Sequence, residues 1–92
     1  MIITVRFRGP IANQMESDTI QIELTEKPDL RVLLSELISA NNSVKDVWKT
    51  PEQMDAENLM LCNEVDIGLL GGLKSELKDG DILVILPLVH GG

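Results

Sequence analysis

The sequence closes with Lys78-Asp79-Gly80-Asp81-Ile82-Leu83-Val84-Ile85-Leu86-Pro87-Leu88-Val89-His90-Gly91-Gly92, and the middle of this stretch decides the fold. Residues 78–81 carry a strong turn signal. The five residues after them contain no polar side chain. A strand that is apolar on both faces belongs in the centre of a sheet. Alternation sends Leu83 and Ile85 to one side and Ile82, Val84 and Leu86 to the other, so the sheet must solve a covering problem.

Working outward, the first segment places Ile3, Val5 and Phe7 opposite Thr4, Arg6 and Arg8, the period of a half-buried strand. Gly9-Pro10 ends it, and residues 11–17 read as a turn or loop. Residues 18–25 alternate cleanly, with Ile20, Ile22 and Leu24 on one face, and form a hairpin with the first strand. From Leu30 the period changes. Leu30, Leu33, Leu34, Leu37 and Ile38 make one helical stripe, with Asp29 as N-cap and Asn41-Asn42 as the stop. Residues 44–48 suggest a short helical turn with Trp48 closing an end of the core, and residues 51–58 read as a polar loop. Residues 59–62 form a short strand, Asn63-Glu64 turns, and residues 65–77 are a glycine-punctuated connection.

The expected class is therefore α+β: a mixed sheet of four to five strands packed on one main helix, in a single domain spanning 1–92. One helix covers one face of such a sheet. Apolar side chains of the last strand are then left open, the pattern of a protein-contact patch. The alternative is that residues 44–58 fold over the second face.

Ninety-two residues close one core and no more. A net charge of −7, without clustered Lys and Arg, argues against direct nucleic-acid contact and against an anionic membrane surface. No apolar run spans a bilayer, the first residues lack a secretory pattern, and a cytoplasmic location is expected. The one cysteine, Cys62, excludes an internal disulfide and a cysteine-rich metal site, and reads as a small buried thiol. No nucleophile–base set stands out, so neither catalytic residues nor a bound metal or cofactor are expected.

The terminal Gly91-Gly92 pair would arise by chance in about 0.5% of chains. Pro87 cannot donate to a ladder, so residues 87–92 are expected to leave the sheet as a flexible tail. The five residues after Pro87 reach about 17 Å. Without Cβ atoms, Gly91 and Gly92 pass through a narrow channel, which suits delivery of the Gly92 carboxylate into a partner's active site. Leu88, Val89 and His90 would line the way. A carboxylate is a poor electrophile and needs activation, most naturally as an acyl-adenylate. Residues 68–75 imitate a phosphate-binding loop, but Leu73 stands where a glycine is required before Lys74-Ser75. ATP would therefore be used by the partner. Lys27, Lys45, Lys49, Lys74 and Lys78 read either as conjugation acceptors or as surface charge.

The element order together with Leu-Pro-Leu-Val-His-Gly-Gly resembles the β-grasp (ubiquitin-like) sulfur carriers. These include the ubiquitin-related modifier, the archaeal small modifier proteins, the thiamine-pathway carrier and the small subunit of molybdopterin synthase. Asn63-Glu64-Val65-Asp66, Leu69-Leu70-Gly71 and His90-Gly91-Gly92 are similar to the modifier. Leu77-Lys78-Asp79-Gly80-Asp81 and Leu86-Pro87-Leu88-Val89 are similar to the synthase subunit, whose tail usually has two consecutive prolines and a small residue before Gly-Gly. The resemblance implies a carrier or modifier rather than an enzyme. A ubiquitin-activating-type adenylating enzyme would activate Gly92, and the adenylate would become a thiocarboxylate. Sulfur would pass, through a sulfurtransferase or the synthase large subunit, to a tRNA wobble uridine or a molybdopterin precursor. Some members instead form an isopeptide bond with target-protein lysines. It also implies that Leu83 and Ile85 lie under the helix while Val84 and Leu86 face partners. A non-covalent ubiquitin-like interaction module is the remaining alternative.

Overall fold

A computed structural model of the chain describes residues 1–88. Five strands form one sheet: β1 (Ile2–Phe7), β2 (Thr19–Glu23), β3 (Asn58–Cys62), β4 (Val65–Asp66) and β5 (Ile82–Pro87). Their order is β2-β1-β5-β3-β4, so the all-apolar strand is central, as its composition requires. β5 runs parallel to β1 and antiparallel to β3, which makes the sheet mixed.

The α+β plan stands: the main helix α1 (Leu30–Ala40) and the short turn expected near 44–48, α2 (Asn42–Val47), are joined by an unexpected third helix, α3 (Pro51–Glu57). Asp29 caps α1 as expected, accepting from the Val32 N–H at 3.0 Å. The five-residue stripe from Leu30 to Ile38 is buried throughout. Residues 51–57, expected as loop, are helical because Thr50 supplies an N-cap, its hydroxyl accepting from the Gln53 N–H at 3.1 Å, with Pro51 at the first helical position. A 3-10 helix over Gly9–Gln14 takes in Gly9-Pro10 and the first part of residues 11–17, expected as turn or loop.

α2 and α3 answer the covering question. Val44, Trp48 and Met54 join the core that holds Ile3, Val5, Phe7, Leu83 and Ile85, so residues 44–58 pack on the same side as α1. Among the described residues, no helix lies over the other side of the sheet. Thr4, Arg6, Leu59, Leu61, Ile82, Val84 and Leu86 lie there, each half-buried by neighbours within the sheet. Register aligns Arg6, Val84, Leu61 and Asp66 in one row and Leu59 with Leu86 in another. No helix among the described residues is long and apolar enough to cross a membrane.

Candidate functional site: the open sheet face and the root of the tail

β5 delivers the chain to the site. It is fixed by β1 on one side and β3 on the other, so its direction is set by two ladders rather than one. Val84 and Leu86 point to the open face while Leu83 and Ile85 are sealed in the core, as the β-grasp resemblance implied. Arg6 sits beside Val84 and brings a cation into this apolar row. The signal for Arg6 was present in the alternation of β1, but its place next to Val84 depends on a parallel pairing that one strand's pattern does not reveal.

The tail begins later than Pro87. Pro87 is the last residue of β5 and faces Asn58. The next residue, Leu88, still donates its N–H to the Glu57 carbonyl at 3.0 Å, continuing the β3 ladder past the proline. The missing proline N–H falls on the β1 side, where the chain has already turned away at Gly9 (φ 74°) and a Cβ there would lie 3.7 Å from Pro87. Proline thus costs this sheet no bond to β3. Leu88 is exposed. Val89, His90, Gly91 and Gly92 lie outside the described residues.

Two residues under the root carried no sequence signal of their own. Asn58 is buried and donates its side-chain amide to the Met54 carbonyl at 2.8 Å, closing the end of α3. Glu57 supplies the carbonyl that Leu88 uses.

Elsewhere the candidates resolve as structure. Residues 68–75 fold as two 3-10 turns. The Asp66 carboxylate accepts from the Gly68 N–H at 2.8 Å, and the Ser75 hydroxyl donates to the Gly72 carbonyl at 2.6 Å. That hydroxyl is committed to the turn and is not presented to a phosphate. Cys62 is buried, and burial, followed by the nearby charge of Asp81 and a hydrogen bond to it, pushes its thiol up to about 11. It stays protonated at neutral pH, which removes it as a nucleophile. Among the described residues, no three of the His, Cys, Asp and Glu side chains are grouped to hold a metal ion. Lys27, Lys74 and Lys78 line a groove of about 630 Å³ with Met1, at the end of the sheet opposite the tail root.

The fold and the site together define a ubiquitin-like β-grasp protein whose central strand continues into the C-terminal tail. The family model of the ubiquitin related modifier, Urm1, matches residues 3–92, and the chain belongs to that family of ubiquitin-like sulfur carriers and modifiers. The solved structures agree. The chain is similar to the small archaeal modifier protein SAMP1 of Haloferax volcanii, with a TM-score of 0.78 and 18% identity over 100% of both chains. It is similar to Urm1 of Trypanosoma brucei, with a TM-score of 0.70 and 24% identity over 99% of this chain and 95% of that one. It is also similar to a chain in the complex of subunits 1 and 2 of the molybdopterin-converting factor of Helicobacter pylori, with a TM-score of 0.64 and 27% identity over 100% of both chains.

Proposed function

We propose that the protein is a sulfur carrier and protein modifier that works through the carboxylate of Gly92. A ubiquitin-activating-type enzyme would bind the open sheet face around Val84 and Leu86 and receive residues 88–92 in its active site. The carboxylate oxygen attacks the α-phosphorus of ATP, pyrophosphate leaves, and an acyl-adenylate forms. Hydrosulfide, or a donor at the same oxidation level, then attacks the acyl carbon and expels AMP, leaving a thiocarboxylate for tRNA thiolation. Where a target lysine attacks instead, AMP leaves and an isopeptide bond forms. The nucleotide is held by the partner, and the carrier supplies only the reacting end and a docking face.

The observation that carries this reading is the family match, which runs through the tail to residue 92. The half-buried apolar row beside the tail root supports it, since open apolar surface next to a reacting end suits a protein partner. Intact mass spectrometry of the protein from its native cell tests it. An oxygen-to-sulfur mass difference located at Gly92 is expected. A uniformly unmodified terminus after incubation with ATP, a sulfide source and cell extract counts against it, as does full function after removal of Gly91 and Gly92.

A second reading, the small subunit of a molybdopterin synthase, draws on the similarity to the Helicobacter pylori complex. It differs in requiring a tightly bound large subunit, and loss of molybdoenzyme activity on deletion would select it.

A further inference from the structure

Three facts meet at the junction of α3 and β3. The Asn58 side chain, 4% exposed, donates to the Met54 carbonyl at 2.8 Å. Among the described residues its own oxygen is buried with no hydrogen-bond partner. The neighbouring Glu57 carbonyl accepts the Leu88 N–H at 3.0 Å. A helix leaves its last carbonyls without intrahelical partners, and here one is taken by the Asn58 amide and another by the root of the tail.

A buried polar atom without a partner costs free energy, so apolar packing at residue 58 would serve the core better. Asn58 therefore holds something that packing alone would not. Its amide pins the last turn of α3, and that turn presents the carbonyl on which Leu88 is anchored.

We infer that Asn58 is a positioning residue that aims the C-terminal tail, acting through the last turn of α3 and the Glu57 carbonyl on the Leu88 N–H. This rests on the carrier reading above. Anchoring at Leu88 has a geometric consequence. Gly92 lies four residues beyond Leu88, a span of at most about 14 Å, so on the carrier reading the carbon that is activated lies within about that distance of Leu88. An aimed root lowers the ordering entropy lost when the tail threads a partner's channel. The benefit falls on association and not on the chemical step of the bound complex.

The test uses the full-length chain and an adenylating enzyme that activates the wild type, read by ATP–pyrophosphate exchange. Asn58→Leu keeps the branched shape and removes both polar groups, and circular dichroism verifies that the body is folded before the assay. Leu88→Pro removes the tail's donor without touching the core. Asn58→Leu is expected to raise the KM for the carrier about three- to tenfold with kcat within about twofold, while Leu88→Pro, which also alters the segment that enters the partner, is expected to raise KM at least as much. The double variant is expected to be no worse than the more affected single one, because both cut the same link. Amide hydrogen exchange supplies an independent arm: Leu88 is protected in the wild type and loses protection in Asn58→Leu. An unchanged KM in Asn58→Leu, effects that multiply in the double variant, or an unprotected wild-type Leu88 amide would each overturn the inference. Absence of exchange with the wild-type chain strikes at the carrier reading instead, and the anchor is then judged by amide protection alone.

Discussion

Phe7 and Trp48 lie stacked, with ring centroids 6.3 Å apart and planes 12° from parallel. They are the only aromatic side chains in the sequence, and both are buried. Phe7 ends β1 on the core side, while Trp48 follows α2, so the pair binds the short helices to the sheet. The lone tryptophan is thus a core residue and not a partner anchor.

Trp48→Ala is expected to cost about 3–5 kcal/mol, because the hole would lie between rigid elements that cannot collapse into it. Trp48→Phe keeps an aromatic contact with Phe7 and costs less. Urea denaturation followed by far-ultraviolet circular dichroism measures both, since the natural fluorophore is lost. Equal costs for the two variants would show that a ring retained against Phe7 recovers no stability.

Leu86→Glu separates docking from folding. Leu86 lies on the open face opposite Leu59, half-buried, so a carboxylate there keeps access to water. The stability cost should stay near 1 kcal/mol, within the ordinary range for a partly exposed site. Activation should suffer far more, with KM rising more than tenfold if this row is a central contact. Thermal unfolding and a pyrophosphate-exchange assay on the same preparation decide it. A variant that melts normally and is activated normally would remove Val84 and Leu86 from the interface.

The sequence disclosed the parts of this fold whose periodicity is strong. α1 was legible because five apolar residues share one stripe and Asp29 precedes it. β5 was legible because a two-sided apolar strand has one place to go. α3 was missed for its polarity, although Thr50 and Gln53 carry a helix-start signal: the Thr50 hydroxyl accepts from the Gln53 N–H, and the Gln53 side chain accepts from the Lys49 N–H at 2.8 Å. Seven residues with one buried methionine give too weak a period to outweigh a polar composition. The tail boundary was placed too early for a different reason. A proline forbids a bond only on the side its nitrogen faces, and that side is known only once the register is known. The anchoring of Leu88 depends on the same register.

Two turns that look independent in the sequence share one network. The Asn63 side-chain amide donates to Asp81 at 2.8 Å, its oxygen accepts from the Ile82 N–H at 3.0 Å, and Asp81 also accepts from the Lys78 N–H at 2.8 Å. Asn63 stands in the left-handed region (φ 50°), which asparagine tolerates better than most residues. Asn63→Ala loses both bonds and strains the turn, at an expected cost of about 1–3 kcal/mol. Asn63→Gly relieves the backbone and isolates the side-chain contribution. Denaturant midpoints for the two variants measure the difference, and matching midpoints near wild type would show that the network carries no stability.

Cys62 ties the body's stability to alkaline pH. Its thiol moves from an ordinary 9.0 to about 11 in the folded protein, chiefly through burial and then through Asp81. Below pH 9 folded and unfolded chains both hold this proton, and the site's contribution is fully present. Between pH 9 and about 11 the unfolded chain releases the proton while the folded chain keeps it, so the unfolded state binds fewer protons and stability falls as pH rises. Urea midpoints read by Trp48 fluorescence should therefore decline more steeply over this window in the wild type than in Cys62→Ala. Subtracting one curve from the other cancels the lysines, which titrate in the same range. The same protection predicts slow alkylation of the native protein by iodoacetamide at pH 8 and rapid alkylation in urea. Parallel pH profiles for the two proteins, or fast labelling of the native one, would mean that water reaches the Cys62 sulfur and that its proton is not held by the fold.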